Sequence, residues 1–420
     1  MAKIKVGVFG AARGMTMINA LSKRPDAALV AVCDKYRPLL DDVEKKAAEH
    51  TLQVALYEDF EDFFKHDMDA AVLANYANEH APYAVRLLQS GRHVLSEVLP
   101  CETMAQAVEL IEAVEESGRI YAYAENYCYM KSPFEMWRRY ANGDIGEVQY
   151  AEGEYIHDCS SILPRITYGE RDHWRNRMFS TFYCTHSLGP LLTIADRRPV
   201  QVIGFETNMN AGSLEKTASP LCNCGGIEMV TLDNGAVVKS VHGGFKREPG
   251  SINYEVYGTK GMMETDRWDG NKMSAYIEGE RLCHGELTHY APESFASGDL
   301  ARQTAGHGGS DFYTTHFFLE KILGRPDGEK YSIDVYRAVD MGICGILAYR
   351  SILNGNQPIP VPNLRNKSER DLCRNDHACT NPAVAGNQLL PSTPQFDIAQ
   401  TPDAVFAHIR QLWLAGKNLE

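Results

Sequence analysis

Tyr183 and His186 stand three residues apart in Phe182-Tyr183-Cys184-Thr185-His186, a spacing that on a helical turn brings both side chains to one face. A phenol beside an imidazole suits two proton-handling roles on neighbouring atoms of one substrate. A free tyrosine titrates near ~10, so action as a base at neutral pH needs cationic neighbours. Arg175, Arg177 and His186 lie in the same stretch. Tyr155 and His157 are two apart in a β-rich run and project from one face of a strand, whereas Asp158 points oppositely and serves to orient a neighbour. His242 and Lys246 close another strand. Arg165, Arg171, Arg175 and Arg177 form a basic run, read either as a solvated loop or as a receiver for an anionic ligand.

A second set of residues has the pattern of a dinucleotide site. The apolar run Ile4–Phe9 leads into Gly10-Ala11-Ala12-Arg13-Gly14-Met15 and then an amphipathic stretch. A tight glycine turn at a helix N-terminus holds a pyrophosphate on free N–H groups and the helix dipole. The fingerprint is degenerate, with Ala12 at its second glycine and Gly14 displaced from its third. Asp34 follows Gly10 by 24 residues at the end of the next strand, where a carboxylate takes both ribose hydroxyls and repels a 2′-phosphate. The cofactor expected is therefore NAD, with Lys35 and Arg37 the only nearby features favouring NADP.

These residues need two kinds of scaffold. Up to residue 125, short β-rich runs (Ile4–Phe9, Leu29–Val32, Ala70–Ala74, His93–Ser96, Ile120–Ala124) alternate with helical stretches (Met15–Lys23, Pro38–Glu49, His80–Ser90, Met104–Ser117). That alternation predicts βαβ units and a parallel sheet. After a helix near Pro133–Tyr140 come Val148–Tyr155, Val200–Thr207, Ile227–Leu232, Ala236–His242 and Ser251–Tyr257, strands without helices between them. The Asp233-Asn234-Gly235 turn joins two of them as a hairpin, so a largely antiparallel sheet is predicted. Helices follow at Asp311–Leu323 and Val335–Asn354, then a polar tail with one amphipathic stretch at Ala404–Leu414, read as a surface wrap or oligomer contact. The fold class is thus an α/β N-terminal Rossmann domain plus an α+β C-terminal domain with a large, mostly antiparallel open sheet. The predicted division is 1–128 for the nucleotide, 129–362 for substrate and oligomerisation, and 363–420 as an extension.

Composition excludes other classes. A net charge of −13 leaves no basic footprint for nucleic acid. No apolar run reaches the length of a membrane span. Strand residues begin almost at once, leaving no room for a signal peptide, so a cytoplasmic protein is expected and its 11 cysteines read as reduced thiols. Cys222-Asn223-Cys224 lacks a partner pair at ligand spacing, and no metal is expected.

Gly91-Arg92-His93-Val94-Leu95-Ser96-Glu97, with the glycine turn and Asp34, resembles the Gfo/Idh/MocA superfamily of sugar and polyol oxidoreductases. There this strand typically ends in Glu-Lys-Pro, and the lysine assists hydride transfer from a hydroxyl. Here the run is Glu97-Val98-Leu99-Pro100, and Val98 can neither donate a hydrogen bond nor accept a proton. Glu-Val at this place is similar to the NAD-dependent glycoside hydrolases of family 109. So are Glu125-Asn126-Tyr127-Cys128-Tyr129, Tyr155-Ile156-His157-Asp158, His173-Trp174-Arg175, Phe182 to Pro190, and Gly306-His307-Gly308-Gly309-Ser310-Asp311-Phe312. That branch has a tyrosine several residues upstream of its Gly-Thr-Lys-Gly turn; here Gly258-Thr259-Lys260-Gly261 is present, but Pro249-Gly250 stands where that tyrosine would be.

The resemblance implies a glycosidase working through transient oxidation at C3, deprotonation at C2 and loss of the aglycone, with NAD recycled. It makes Tyr183 the C2 base and His186 the group polarising the C3 oxygen, with His157 also catalytic. Sugar contacts fall to Tyr155, Tyr183, His186, Arg175, Arg177 and His242. The cofactor set is Gly10, Ala12, Arg13, Gly14, Met15, Asp34, Asn75, Asn78, His80, Glu97, Val98, Asn126, Trp174 and Arg175. The rivals are a conventional NAD-dependent sugar or polyol dehydrogenase, which would release NADH, and a sensor binding NAD and sugar without turnover. A homodimer or homotetramer is expected, its only other partner a small glycoside or sugar.

Overall fold

The β-branched and small apolar residues of Ile4–Phe9 form β1, whose Val6 and Val8 are fully buried. Around it a computed structural model, describing residues 3–209, 219, 224–279, 288–293, 301, 306–395 and 400–419, builds a six-stranded sheet. The other strands are β2 (Ala27–Cys33), β3 (Ala55–Tyr57), β4 (Ala70–Leu73), β5 (His93–Ser96) and β6 (Tyr121–Tyr123). Their order is β3-β2-β1-β4-β5-β6, every pair parallel. This is the doubly wound order of a Rossmann sheet, which reverses between β1 and β4 and so opens a crevice at their C-terminal ends. The intervening helices are α1 (Ala11–Ser22), α2 (Arg37–Glu49), α3 (Phe60–Phe64), α4 (His80–Gln89) and α5 (Met104–Ser117). Gly118 ends α5 in the left-handed conformation expected of a glycine cap.

The chain divides into two compact units: Met1–Phe134 with Glu293–Val339, and Glu135–Pro292 with Asp340–Glu420. A boundary at residue 128 does not anticipate the return of a later segment to the first unit. Among the described residues of that segment, Ser310–Ile322 places Phe318 and Leu319 in the same apolar core as Val6, Val8 and Leu29. Helical periodicity tells that a face is apolar but not which sheet will cover it.

After α6 (Lys131–Ala141) the second unit holds a nine-stranded sheet. Its strands are β7 (Val148–Ile156), β8 (Pro199–Glu206), β9 (Gly225–Leu232), β10 (Val237–Gly243), β11 (Ser251–Gly258), β12 (Gly261–Thr265), β13 (Met273–Ile277), β14 (Thr288–Tyr290) and β15 (Ile359–Pro360). The order is β14-β13-β12-β11-β7-β10-β9-β8-β15. All pairings are antiparallel except β7 with β10, which is parallel and sets His242 opposite Tyr155. Two short helical elements precede and follow the site segment: α7 (Leu163–Thr167) and α8 (Thr185–Ala195). A β-carbon on Gly153 of β7 would sit 2.0 Å from the Ser187 carbonyl oxygen, so this glycine lets the backbone of α8 lie directly on the strand. The tail folds back within the same unit. Trp413 meets Tyr168 edge-on at 5.1 Å, Arg410 donates to the Tyr168 carbonyl at 2.9 Å, and the Leu419 N–H donates to Ser161. No helix among the described residues is long and apolar enough to cross a membrane.

Candidate functional site

In the first unit the turn after β1 is built for close approach. Gly10 has φ of +100°, and a β-carbon there would lie 2.3 Å from the Ala74 carbonyl at the end of β4. Gly14, displaced in the sequence pattern, still does the packing work of the third glycine: a β-carbon would meet Val8 at 2.6 Å. Asp34 directly follows β2, its Oδ2 accepting from the Ala11 N–H at 2.8 Å and its Oδ1 from the Tyr36 N–H at 2.9 Å. Burial raises its carboxyl, the two backbone N–H donors opposing. Each oxygen keeps a lone pair, so the carboxylate can still take ribose hydroxyls.

Three polar atoms near the switch point are buried without partners: Asn75 Oδ1, Asn78 Oδ1 and His80 Nε2. His80 Nδ1 lies 3.1 Å from the Leu99 carbonyl, which can only accept. The ring therefore carries its proton there, and burial, opposed by the backbones of Leu99, Asn75 and Glu97, depresses its pKa to about 4, so that it stays neutral at pH 7. Orphaned acceptors beside a glycine cradle and a ribose carboxylate fit the hydroxyls and amide of a nicotinamide dinucleotide.

Arg13, Glu97 and Asn126, all expected to meet the cofactor, are brought together by a residue the sequence reading noted only within a motif. Arg13 Nε donates to Glu97 Oε1 at 2.8 Å, and its two terminal nitrogens hold Asp311 at 3.0 and 2.8 Å. Asn126 Nδ2 donates to Asp311 at 2.9 Å, and His307 Nδ1 lies 2.9 Å from it. Burial opposes the Arg13 charge, but Glu97 and Asp311 outweigh it and raise its pKa. Val98 is 6% exposed, an apolar side chain beside this ionic cluster.

The second unit gathers the aromatic and imidazole residues. Tyr155 lies flat on His242, ring centroids 5.1 Å apart at 13°, and 4.9 Å from His186. Tyr183 meets His186 edge-on at 5.0 Å and His242 at 5.3 Å, with Trp174 stacked on it at 5.6 Å. The Arg175 guanidinium carbon stands 4.2 Å over Trp174 and 5.4 Å from the Tyr183 ring. Thus Trp174 and Arg175, counted with the cofactor set, belong to the second unit beside Tyr183. His157, exposed just past β7, has Nδ1 3.0 Å from the Tyr155 hydroxyl. Arg177 is half-buried with a shielded, unpartnered Nε. Lys246, the weaker candidate, is tied to Asp158 at 2.7 Å and Ser160 at 2.8 Å; that is the neighbour Asp158 orients.

Local structure explains the cluster. Ser180–Tyr183 is a 3₁₀ turn feeding α8, so Tyr183 and His186 share a face as their spacing requires. The turn is wedged between two glycines: β-carbons on Gly226 and Gly345 would strike Thr181 at 2.6 and 2.2 Å. Fully buried Tyr254 donates to the His186 carbonyl at 2.5 Å. No metal-binding group of His, Cys, Asp or Glu exists among the described residues, and of the Cys222-Asn223-Cys224 run only Cys224 lies within them.

A doubly wound parallel sheet with a glycine turn and a carboxylate after its second strand, followed by a large mixed sheet, defines an NAD-dependent enzyme that resembles the Gfo/Idh/MocA superfamily. Residues 4–125 match the oxidoreductase family with NAD-binding Rossmann fold, and residues 223–368 match the C-terminal domain of glycosyl hydrolase 109. The chain is similar to the glycosyl hydrolase family 109 protein of Saccharopolyspora erythraea, 24% identical over 86% of this chain and 83% of that one. It is also 25% identical to the family 109 protein of Solibacter usitatus, over 86% and 88% of the two chains. The fold is shared with an inositol dehydrogenase homolog from Azotobacter vinelandii complexed with NAD+ (TM-score 0.66, 15% identity, 86% of this chain and 98% of that one). It is shared too with levoglucosan dehydrogenase in complex with NADH and levoglucosan (TM-score 0.67, 14% identity, 86% and 100%). The protein is an NAD-dependent glycosidase or dehydrogenase.

Proposed function

We propose that the protein is an NAD-dependent glycoside hydrolase that oxidises its substrate transiently at C3, removes the C2 proton and expels the aglycone from C1. The observation that carries this reading is Val98, buried and inert where the superfamily's dehydrogenases place a lysine, in a chain whose Tyr183, His186 and Arg175 are packed together. When bound, NAD supplies the redox chemistry, taking a hydride from C3 and returning it at the end of the cycle. The glycine turn with Met15 holds the pyrophosphate, Asp34 the adenosine ribose, and Asn75, Asn78, His80, Glu97 and Asn126 the nicotinamide half.

Tyr183 is the C2 base, its phenolate favoured by the nearby Arg175 cation. His186 holds the C3 oxygen and takes its proton. A carbonyl at C3 acidifies the C2–H. The electron pair left when Tyr183 takes that proton forms a C1–C2 double bond as the C1–oxygen bond breaks, and water later adds at C1. Tyr155, His157 and Arg177 contact the sugar. The assembly we infer is a homodimer or homotetramer, measurable by sedimentation.

Incubation with NAD and a panel of aryl glycosides, following aglycone and NADH together, tests the reading. Aglycone without accumulating NADH is expected. Accumulating NADH without aglycone would make the protein a sugar dehydrogenase, and neither signal would make it a binding protein.

A further inference from the structure

We infer that His242 is a tautomer-locked acceptor that reads one hydroxyl group of the sugar, a specificity role resting on the glycoside site proposed above. His242 is 4% exposed, pressed flat against Tyr155 and edge-on to Tyr183. Its Nδ1 lies 3.1 Å from Ser180 Oγ, and the same oxygen lies 3.1 Å from the His242 carbonyl oxygen. Ser180 has one hydroxyl hydrogen, and a carbonyl can only accept. Both contacts are hydrogen bonds only if the serine donates to the carbonyl and Nδ1–H donates to the serine. The neutral ring then carries a lone pair at Nε2.

The ring cannot escape by taking a second proton. Burial, then the facing charges of His186, Arg175 and His157, push its pKa well below the usual histidine range. Nε2 is shielded and has no partner. A buried acceptor without a donor is costly, and native proteins keep few of them outside functional sites. What completes this atom is a ligand group that carries a hydrogen. A sugar hydroxyl qualifies; a ring oxygen, an O-methyl group or a carboxylate does not. Selection at this position is therefore for hydroxyl over deoxy or methylated sugar, by roughly tenfold to a hundredfold in kcat/KM.

The test uses full-length protein with NAD and ¹⁵N-labelled histidine, the His242 signals being those lost in His242→Gln or, should that variant fold poorly, His242→Asn. Expected are a protonated Nδ1 and a bare Nε2, unchanged between about pH 6 and pH 8. Titration with methyl glycosides of galactose, glucose, mannose and N-acetylgalactosamine should move Nε2 for at least one sugar. The analogue of that sugar lacking the recognised hydroxyl should leave it in place. A protonated Nε2 in the sugar-free protein overturns the proposal, as does an Nε2 signal unmoved by every glycoside. A sugar that moves Nε2 without any aglycone release keeps this role and removes the glycosidase reading. Aglycone release with Nε2 unmoved does the reverse.

Discussion

Arg13 and Asp311, 298 residues apart in sequence, form a two-pronged ion pair in which both terminal nitrogens of the arginine meet both oxygens of the carboxylate. The pair fastens the glycine turn to Ser310–Ile322. Burial disfavours the Asp311 charge, yet His307 and Arg13 hold its carboxyl well below the usual range. Its contribution to stability is therefore complete above the carboxylate range of the unfolded chain, near pH ~4, and lost as pH falls below that. Asp311→Asn should cost about 3–5 kcal/mol at pH 7, and the gap to wild type should narrow below pH ~4. Urea unfolding at the two pH values measures this; an unchanged midpoint at pH 7 would show that the pair adds nothing.

Glu228 on β9 has the opposite pH signature. It is fully buried, and burial, opposed only weakly by the Ser240 hydroxyl and its own backbone, pushes its pKa up to about 8. The folded protein keeps it protonated while the unfolded chain ionises from about 4.5 upward. It thus drains stability as pH rises towards 8, and the drain levels off beyond. Glu228→Gln should be nearly neutral at pH ~4 and more stable than wild type by a few kcal/mol near pH ~8. Melting curves across that interval, parallel for both proteins, would contradict the assignment.

Asp34 should select NAD. Asp34→Ala removes the proposed ribose acceptor and also the bond to Ala11, so NAD affinity should fall roughly tenfold or more while the gap to NADP narrows. Calorimetric titration of both nucleotides measures it, and wild-type protein preferring NADP would refute the assignment.

Val98→Lys separates a working glycosidase from a degraded dehydrogenase. An ammonium placed at this buried position pays for desolvation, so aglycone release should drop. Faster aglycone release in the variant would count against the reading, and restored alcohol oxidation would favour the dehydrogenase.

Tyr183→Phe keeps the ring and its packing on Trp174 and His186 but loses the acid–base group. Aglycone release should fall by ~10²–10⁴-fold with sugar binding little changed. The bound cofactor should still become reduced. His186→Ala should instead leave it oxidised. In deuterated water the wild type should place deuterium at C2 of the product; a product without it rules out the elimination.

The first sheet was legible because its strands are short apolar runs bounded by turn residues: His93–Ser96 and Met104–Ser117 fall where periodicity puts them. β3, with three half-buried residues, and the five-residue α3 carry too little pattern to be read. β12, β13 and β14 were missed because Gly261, Glu264, Ser274 and His289 break up any apolar run or clear alternation. At the site, local spacing gave Tyr183 with His186 and Tyr155 with His157. The parallel pairing of β7 with β10, which sets His242 against Tyr155, is non-local and has no local signature. Nor does the ion pair of Arg13 with Asp311, since a charge in sequence does not name its partner.

Gly153 has a consequence for anyone redesigning this protein. The distance from α8 to β7 is set by backbone against backbone, so a methyl group there displaces a whole helix rather than one rotamer. Tyr183 and His186 ride on that helix and the turn before it, and would shift together. Libraries aimed at new sugars should therefore hold position 153 fixed and draw their diversity from Tyr155, His157 and Arg177, where a changed side chain alters the proposed sugar contacts without moving the helix that carries His186.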